Sequence, residues 1–291
     1  MSSLTRLIDT LPIDESVQLI VIDDKSQEDV TEIENRIIQQ GGIFLHNSTE
    51  KKGAGTCRNL GLQIASGKWL IFADADDYFL DNAFHVMEMY SNSKADIIYF
   101  PPISKYSGTN CLAKRHIEYE KMVLSYLKHP NEHNEMLLRY KFMSPWSKMI
   151  RNKLVQENHI LFDEVPAAND VMFSLQAAFY AQKIEVSMNY IYCITQSNNT
   201  LTTLKNESNY WSRVEVFTRR YKFMQEHLDL VRFGHVLPMG IRILTNAIKQ
   251  HYSIRFIFKI YHYLKKNNIS LFPKQAIQNK AKQLMIKEKK R

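Results

Sequence analysis

One stretch of the chain decides the fold: residues 53–79 read GAGTCRNLGLQIASGKWLIFADADDYF. Its first part has a helical pattern over residues 54–66 that Gly67 ends. Its apolar run from Trp69 to Ala73 is typical of a strand that is buried on both faces. Three carboxylates follow that strand within four positions, Asp74, Asp76 and Asp77. Because neighbouring acids repel one another and are costly to bury, this cluster predicts a bound cation or compensating hydrogen bonds.

The same alternation of helix and strand extends through the first half of the chain. Short apolar runs predict further strands at residues 17–22, 43–47 and 96–100, and helical patterns predict helices at residues 29–40 and 81–92. Strands that alternate with helices indicate an α/β fold with a mainly parallel sheet.

The second half of the chain is more helical. The patterns predict a helix at residues 171–181, a strand at residues 184–194, and long helices from about residue 209 onward. Because the strand patterns end near residue 200, we expect an α/β domain over residues 1–200 and a helical C-terminal region over residues 201–291.

Composition excludes several classes of protein. Of the 291 residues, 45% are hydrophobic, which is ample for a packed core and argues against disorder. The three cysteines are scattered, which argues against a disulfide framework or a cysteine zinc site and fits a reducing compartment. No apolar run is long enough to span a membrane, and no signal-peptide core follows Met1, so we expect a cytoplasmic protein.

The net charge of +8 at pH 7 is unevenly distributed along the chain. Twelve of the 38 lysines and arginines lie from Lys249 onward, where Glu288 is the one acid. A nucleic-acid-binding protein would spread its basic residues over a face of the folded body. We therefore expect no nucleic-acid partner.

Acids also follow the first predicted strand, at Asp23 and Asp24. In an open parallel sheet, ligands bind beyond the carboxyl ends of the strands, so we expect this pair to lie near the cluster at residues 74–77. Carboxylates gathered in this way suit Mg²⁺ or Mn²⁺, which usually bridges to phosphate oxygens. The alternative is that Asp74 and Asp77 cap the following helix. One acid is enough for a cap, so we favour the cation.

Two segments together resemble the nucleotide-sugar half of family-2 glycosyltransferases, which have the GT-A (Rossmann-like) fold: VIDDKSQEDV at residues 21–30 and the stretch at residues 53–79. In that family a strand ends in paired acids before a turn of small residues. A later segment of the type ARN-x-G-x-x-x-A-x-G leads into the strand that carries a D-x-D motif. Residues 144–179 resemble the acceptor-side segment, and residues 190–202 resemble the strand and Ser/Thr tail that follow. The resemblance covers about residues 4–203.

On the donor side, the resemblance implies a binding site for a UDP-sugar built from Asp23, Asp24, Arg58 and Asp74. Asp24 would accept a hydrogen bond from the uracil ring, and Arg58 would lie near the nucleotide. Asp74 would contact ribose or metal, and Asp76 would ligate the Mn²⁺ or Mg²⁺ ion that bridges the diphosphate. Such a cation stabilises the charge that grows on the leaving group.

On the acceptor side, the resemblance implies that Asp170 is the general base. A carboxylate on the opposite face of the sugar can take the proton of the acceptor hydroxyl, and the reaction then inverts the anomeric centre. Without the resemblance, Asp170 would be interpreted as the N-cap of a helix. The family has an E-D pair where this chain has Asn169 and Asp170, and often a basic residue where it has Cys193. Trp146 and Lys148 are interpreted as packing and surface residues.

The implied activity is that of a metal-dependent, inverting hexosyltransferase. Transfer from a UDP-sugar would extend a cell-surface glycan such as lipopolysaccharide or capsule, on a glycan or lipid-linked acceptor. Three alternatives remain open. One is a haloacid-dehalogenase-type phosphohydrolase with Asp74 as nucleophile and Asp76 as acid/base. Another is a receiver-like binding domain with Asp23, Asp24 and Lys25 around Mg²⁺, and the third is a catalytically inactive glycosyltransferase-like interaction module.

The N-terminal residues, MSSLTRLIDTL, resemble the helix that follows the first strand of the family. In the family, that apolar strand comes first and ends in a P-x-Y-N-like turn around the uracil. Either the start codon is misassigned or this strand is absent. If it is absent, we expect an empty central position in the sheet and poor nucleotide affinity. We also expect activity to need about a dozen upstream residues, enough for one strand and a turn.

The C-terminal end combines apolar and basic residues. Between residues 252 and 266 most positions are apolar, and a basic stripe at helical spacing consists of Arg255, Lys259, His262 and Lys266. Such a helix either packs on the protein body, with a solvated tail after it, or lies in a membrane interface. Because a lipid-linked acceptor is met at the membrane, we predict peripheral, salt-sensitive association with anionic lipid of the inner membrane through residues 252–291.

Overall fold

The structure, a computed structural model, describes residues 3–12, 15–197 and 206–288. The chain divides into two compact units. The first unit is Met1–Val165 with Asn169–Thr200, and the second is Pro166–Ala168 with Leu201–Arg291. All strands of the described ranges belong to the first unit.

The secondary structure of the described ranges is as follows. The strands are β1 (Ile20–Asp23), β2 (Ile43–His46), β3 (Trp69–Leu70), β4 (Tyr78–Phe79), β5 (Ile97–Tyr99), β6 (Ile103–Tyr106), β7 (Lys148–Arg151), β8 (Ile184–Val186) and β9 (Tyr192–Gln196). The helices of the first unit are α1 (Ser3–Asp9), α2 (Thr31–Gln39), α3 (Ala54–Ile64), α4 (Ala83–Glu88), α5 (Ile117–Lys128), α6 (Glu132–Lys141), α7 (Asn152–Glu157) and α8 (Val171–Tyr180). Those of the second unit are α9 (Glu207–His227), α10 (Leu230–Val236), α11 (Gly240–Lys249), α12 (Ile254–Lys266) and α13 (Pro273–Glu288).

The strands form three sheets within the part of the chain that the structure describes. β1 and β2 form a two-stranded sheet, β3-β7-β5-β8 a four-stranded sheet, and β4-β9-β6 a three-stranded sheet. The pairs β1–β2, β5–β8 and β6–β9 are parallel, whereas β3–β7, β5–β7 and β4–β9 are antiparallel. The predicted α/β class is confirmed. The sheets are mixed because β7 runs against both of its neighbours and β9 against β4.

Most predicted elements are found, with ends that differ by a few residues. The strands predicted at residues 17–22, 43–47 and 96–100 are β1, β2 and β5, and the four predicted helices of the first unit are α2, α3, α4 and α8. The strand predicted at residues 184–194 is instead two strands, β8 and β9, which belong to different sheets. β7 has no counterpart among the predicted strands, because its sequence, KMIR, places a charged residue at each end.

β1 and β3 are not paired with each other. Among the described residues β1 pairs with β2 alone, and β3 pairs with β7 alone. The β3 ladder covers only Trp69 and Leu70, so the strand predicted at residues 69–73 stops three residues early. Between β1 and β3 lies a cavity of about 1270 Å³, lined mainly by apolar residues of these strands and of α1, α3 and α4. We call this cavity the slot.

The core of the first unit packs around β5. The residues Ile97–Phe100 are almost fully buried, and burial of each large apolar side chain stabilises the fold by about 1.5–3 kcal/mol. Trp146 is also buried and stacks on Tyr192 of β9, with the ring centroids 6.0 Å apart. This packing fixes β9, which carries several of the groups that hold the acidic turn after β3.

In the second unit, α12 shows which side of the basic helix packs. Phe256, Ile260 and Leu264, each four residues apart, are buried, whereas Ile254 and Phe258 are 74% and 58% exposed. One face of α12 is therefore packed. The opposite, outward face exposes two large apolar side chains, which leaves it available to a membrane interface. No helix of the described ranges is long and apolar enough to cross a membrane. The last residues of the predicted anchor, 289–291, lie outside the described residues.

Candidate functional site

The turn after β1 is fixed through Asp24. One carboxylate oxygen of Asp24 accepts a hydrogen bond from the Asn47 side-chain amide, and the other accepts one from the backbone N–H of Gly53, both at 2.8 Å. Asn47 follows β2, and Gly53 precedes α3, so a single carboxylate ties three segments together. Asp24 also lines the slot.

Asp23 lies on the other side of this turn. Its carboxylate accepts a hydrogen bond from the Ser26 backbone N–H at 3.2 Å and contacts His46 Nδ1 at 3.3 Å. Partial burial favours the neutral acid, but the hydrogen bonds from Ser26 and His46 outweigh it and lower the pKa of Asp23. The structure thus places the Asp23 side chain against β2, whereas Asp24 is the member of the predicted pair that lines the slot.

Arg58 of α3 joins the two sides of the site. Its guanidinium donates one hydrogen bond to Asp74 Oδ1 at 2.5 Å and another to Asn169 Oδ1 at 2.8 Å. It also lies over the ring of Phe162, 5.2 Å from the centroid. Arg58 therefore connects the acidic turn after β3 with the residue that precedes Asp170.

The acidic turn gathers three carboxylates that could hold a metal ion. One ligand atom from each of Asp74, Asp76 and Asp77 lies within 4.8 Å of the others. Desolvation of its carboxyl, and then repulsion by Asp74, raises the pKa of Asp76. All donors are carboxylate oxygens, which is the donor set that Mg²⁺ and Mn²⁺ prefer.

Asp77 differs from its two neighbours because it is structural. It is only 1% exposed, and its carboxylate accepts hydrogen bonds from the Thr195 backbone N–H at 2.7 Å and from the Tyr192 hydroxyl at 2.9 Å. Burial, and then the negative charge of Asp74, raises the pKa of Asp77 to about 8. The buried carboxyl anchors the turn to β9 and leaves Asp74 and Asp76 as the more accessible ligands.

The interpretation of these acids as helix caps is wrong. The next helix, α4, begins at Ala83, and its N-cap position is Asn82. The acids lie five or more residues before that cap, and the hydrogen bonds of Asp74 and Asp77 go to Arg58, Thr195 and Tyr192 instead.

Three residues that hold the turn have no local sequence signal. The Tyr192 hydroxyl accepts a hydrogen bond from the Asp74 backbone N–H at 2.9 Å. The Arg6 guanidinium donates to the backbone oxygen of Asp76 at 2.6 Å and to the Thr195 hydroxyl at 2.8 Å. These partners are distant in sequence, so only the folded chain reveals their role.

Asp170 immediately precedes α8 and lines the slot. Although it occupies the N-cap position, its side chain makes no capping hydrogen bond. Burial raises the pKa of Asp170, and the positive charge of Arg58 opposes this rise. A carboxylate with a raised pKa that is not used as a cap is a better proton acceptor than an ordinary surface aspartate.

The surface interpretation of Lys148 is wrong. Lys148 is only 2% exposed, donates a hydrogen bond to the Phe142 carbonyl at 2.6 Å, and lies 4.4 Å from the centroid of the Phe142 ring. Burial lowers the pKa of Lys148 to about 7, while the charge of Asp170 opposes this effect. Trp146 is buried, as interpreted, in the aromatic core.

Gly55 marks the closest approach between α3 and the acceptor-side loop. A Cβ atom at Gly55 would lie 2.0 Å from the backbone oxygen of Asp163 and 3.2 Å from the Cβ of Asn169. Replacing Gly55 by alanine should therefore push this loop away from α3, loosen the contact between Asn169 and Arg58, and destabilise the protein by about 1–3 kcal/mol. Urea unfolding measures this loss directly.

The control for that variant is Gly61→Ala in the same helix. The nearest atoms to a Cβ at Gly61 are 3.8 Å away, which is ordinary contact. Because alanine favours a helix over glycine by roughly 1 kcal/mol, this variant should be neutral or more stable. Equal unfolding midpoints for the two variants would contradict the close approach at Gly55.

Comparison with known proteins identifies the family. The family model described as glycosyl transferase family 2 matches residues 2–158, which is more than half of the chain. The chain belongs to glycosyl transferase family 2. Membership of this family favours the glycosyltransferase interpretation over the phosphohydrolase and receiver-like alternatives.

Two curated relatives of this family-2 glycosyltransferase share part of its length. The poly(ribitol-phosphate) beta-glucosyltransferase of Bacillus spizizenii is 28% identical over 185 residues, which are 61% of this chain and 27% of that protein. The UDP-Glc:alpha-D-GlcNAc-diphosphoundecaprenol beta-1,3-glucosyltransferase WfaP of Escherichia coli is 36% identical over 77 residues, which are 25% of this chain and 30% of that protein. The matched regions thus span less than a third of these two relatives.

Solved structures confirm the GT-A fold for this family-2 glycosyltransferase. S. aureus TarS 1-349 in complex with UDP superposes with a TM-score of 0.64 at 16% identity, covering 96% of this chain and 87% of that one. TarS 1-349 in complex with UDP-GlcNAc gives a TM-score of 0.59 at 17% identity, covering 96% of this chain and 88% of that one. Enzymes with this fold commonly use a divalent metal, and the oxygen donors of the acidic turn fit one.

Proposed function

We propose that the protein is an inverting, metal-dependent hexosyltransferase that moves a sugar from a UDP-sugar to a growing cell-surface glycan such as lipopolysaccharide or capsule. The observation that carries this proposal is the arrangement around Arg58. Its guanidinium contacts both Asp74 of the acidic turn and Asn169, the neighbour of Asp170. This arrangement supports a single site that contains both the acidic turn and the candidate base.

The donor would be held by the carboxyl edge of the strands. Asp24 would accept a hydrogen bond from the uracil ring, and Asp74 and Asp76 would ligate Mn²⁺ or Mg²⁺. Arg58, already beside Asp74, would lie close to the negative charge of the diphosphate. A bound divalent cation supplies electrostatic stabilisation of the leaving nucleoside diphosphate. Asp23 would act indirectly, by keeping the turn after β1 against β2.

Asp170 would take the proton of the acceptor hydroxyl. The acceptor oxygen forms a bond to the anomeric carbon as the bond from that carbon to the diphosphate oxygen breaks. Attack from the face opposite the leaving group inverts the anomeric centre, so an α-linked donor gives a β-linkage. Raising the pKa of Asp170 by burial strengthens it as a base, while Arg58 limits the rise and keeps the group able to ionise.

The names of the relatives support this substrate class. The two curated relatives are beta-glucosyltransferases, and WfaP is named for an acceptor linked to diphosphoundecaprenol, a lipid carrier. TarS has been crystallised with UDP and with UDP-GlcNAc. These properties belong to those proteins, and for the present chain they favour a UDP-sugar donor and a lipid-linked or polymeric acceptor.

The experiment that tests the proposed function is a screen of nucleotide-sugars for Mn²⁺-dependent release of the nucleoside diphosphate, with and without glycan acceptors. We expect turnover with one UDP-hexose and a metal requirement that chelation abolishes. Binding of a UDP-sugar without any turnover would favour the catalytically inactive interaction module.

Metal binding should strengthen as pH rises. The carboxyl of Asp76 must lose its proton before it can ligate a cation, and its pKa is raised. Ionisation of Asp77, whose pKa is about 8, adds further negative charge beside the ion. Calorimetric titration with Mn²⁺ should therefore show weak binding at about pH 5 and increasing affinity up to about pH 8.

The control for this titration is Asp77→Asn, which removes the group that titrates near neutral pH and keeps a similar shape. In that variant the affinity should stop rising at lower pH than in the native chain. An affinity for Mn²⁺ that does not change across this range would show that the turn is not the metal site.

We also propose cytoplasmic localisation, with peripheral association at the inner membrane. The outward face of α12 carries Ile254 and Phe258 beside Arg255 and Lys259. Basic residues near an anionic surface contribute on the order of 1 kcal/mol each, and this attraction is screened by salt. The packed face of α12 means that deleting residues 252–291 would remove core residues, so point variants are the sharper test.

The membrane prediction is tested with Ile254→Ser combined with Phe258→Ser. Each apolar side chain contributes about 1.5–3 kcal/mol when buried, so sedimentation with anionic vesicles should fall by at least about tenfold. Met188→Ser is the matched control, because Met188 is equally exposed but lies in the first unit. Equal sedimentation of the double variant and the control would show that this face is not the anchor.

A further inference from the structure

One face of the three-stranded sheet β4-β9-β6 carries two cationic side chains. In its ladders Tyr78 is paired with Cys193, and Lys105 is paired with Thr195, two residues further along β9. Paired residues, and residues two apart on one strand, point to the same face of a sheet. Arg6 of α1 lies on this face as well, because its guanidinium donates to the Thr195 hydroxyl at 2.8 Å and lies 4.6 Å from the centroid of the Tyr78 ring.

A third cation, Arg115, lies in the exposed loop before α5. Desolvation raises the pKa of Asp76, and the positive charges of Arg115 and Arg6 oppose this rise. Desolvation also raises the pKa of Cys193, and the charges of Lys105 and Arg6 are among the effects that oppose it. Because charges act on one another strongly only at short range, the three basic side chains gather beside the acidic turn. We call Arg6, Lys105 and Arg115 the cationic group.

Two members of the cationic group keep hydrogen-bond donors that the described residues do not use. Arg115 makes no hydrogen bond or ion pair with any described residue. The ammonium of Lys105 reaches only Asn110 Oδ1 among them, at 3.5 Å. Guanidinium and ammonium groups with spare donors are the groups that bind phosphate oxygens.

The cationic group lies outside the slot. Asp74 and Arg58, which form an ion pair, both line the slot, whereas Asp76 and the three cations are not among its lining residues in the described ranges. The acidic turn thus has a slot side, where the proposed donor site lies, and a second side, where the cations surround Asp76. An anion bound on the second side lies beside the proposed metal ligands without entering the nucleotide pocket.

We propose that Arg6, Lys105 and Arg115 form a subsite for a phosphate group of the acceptor. The inference rests on the proposed function and narrows it, because it assigns the enzyme to acceptors that carry phosphate close to the accepting hydroxyl. Arg6 is fixed by its bonds to the backbone oxygen of Asp76 and to Thr195, so it supplies a positioned charge. Lys105 and Arg115 supply the free donors.

Inorganic phosphate is the probe for the first test. The 291-residue chain is saturated with Mg²⁺ and UDP, so that the donor side is filled, and phosphate is titrated with ³¹P NMR as the readout. We expect the native chain to bind phosphate, and Lys105→Gln combined with Arg115→Gln to weaken this binding by at least about tenfold, because two charge-assisted contacts are lost. The affinity for UDP, measured by calorimetry, should stay within about twofold of the native value, because neither residue lines the slot.

The matched control is Lys153→Gln combined with Lys183→Gln. Both lysines are exposed residues of the first unit, both lie outside the three-stranded sheet, and they pair with Glu157 and Glu185. The control removes the same total charge and should bind phosphate as the native chain does. Equal phosphate affinities of the two double variants, or a native chain that binds no phosphate, would overturn the proposal.

The UDP titration separates the acceptor from the donor. A loss of UDP affinity as large as the loss of phosphate affinity would overturn the proposal, since it would assign the cationic group to the donor diphosphate. A native chain that binds no UDP would contradict the proposed function instead. Phosphate titrated with Mg²⁺ alone then tests the subsite, and weaker binding by the Lys105 and Arg115 double variant supports it.

Transfer kinetics give the second test. An acceptor that carries phosphate is compared with the same acceptor after phosphatase treatment. We expect KM of the native chain to be at least about tenfold lower for the phosphorylated form, and this difference to disappear in the Lys105 and Arg115 double variant. Equal KM values for the two acceptors in the native chain would overturn the proposal.

Discussion

Asp76→Ala is expected to abolish metal-dependent turnover. Asp76 is the most accessible carboxylate of the acidic turn, and its loss leaves Asp74, which is already paired with Arg58, and Asp77, which is buried against β9. Electrostatic stabilisation of the leaving group by a cation is worth several kcal/mol, so the rate should fall by about a thousandfold or more. Calorimetry should show that Mn²⁺ binding is lost at the same time.

Asp81→Ala is the control for this variant, because Asp81 is exposed and lies outside the carboxylate cluster. It should bind Mn²⁺ and turn over UDP-sugar as the native chain does. Metal binding and turnover should both be measured for each variant, since metal binding reports on the turn even where turnover is low. Unchanged turnover in Asp76→Ala would show that the acidic turn does not hold the catalytic metal.

Asp170→Asn is expected to remove transfer and to spare donor binding. The amide keeps the shape of the carboxyl but cannot take a proton, and general-base catalysis contributes about 100-fold to 10,000-fold to such a step. Separate measurement of kcat and of the dissociation constant for the UDP-sugar checks both parts of the prediction. Near-normal rates of transfer in Asp170→Asn would show that Asp170 is not the general base.

The pH profile gives an independent readout of Asp170. Burial raises its pKa, and the active form of a base is the ionised one, so activity of the native chain should fall as pH drops through this raised pKa. Asp170→Glu keeps a carboxylate and should retain part of the rate together with this acidic limb. The asparagine variant should lack the limb.

The residues of the proposed donor side have local sequence signals. Asp24, Arg58, Asp74 and Asp76 lie in two short segments whose strand and helix patterns fix their positions at one edge of the sheet. In the structure Asp24, Arg58 and Asp74 line the slot, and Asp76 lies with Asp74 in the acidic turn. Only Asp23 departs from this arrangement, because His46 and Ser26 hold its side chain on the β2 side.

The rest of the site depends on contacts between distant segments. Arg6, Tyr192 and Thr195 hold the acidic turn from α1 and β9, and no periodicity or motif marks them for this role. Because lysine is rarely buried, the local sequence predicts a surface position for Lys148. Its burial follows from the aromatic rings of Tyr99 and Phe142 around it, which the local sequence does not reveal.

Pairing with distant strands also determines where the strands begin and end. The run at residues 69–73 is apolar throughout, yet its ladder with β7 ends at Leu70 in the described residues. β7 itself has a lysine and an arginine at its ends, and it becomes a strand because β3 and β5 both pair with it. The hydrophobic pattern alone predicts neither the end of β3 at Leu70 nor the strand β7.

The slot also has a consequence for how the protein behaves when concentrated. A dry, sealed void of about 1270 Å³ would cost on the order of 30 kcal/mol at about 24 cal/mol per Å³. This exceeds the roughly 5–15 kcal/mol of net stability of a typical domain, so the slot must be wetted or occupied. When it is wetted, two open strand edges become templates for pairing between molecules, the usual starting point of aggregation. Solubility and shelf life of this glycosyltransferase should therefore depend on what lies in the slot.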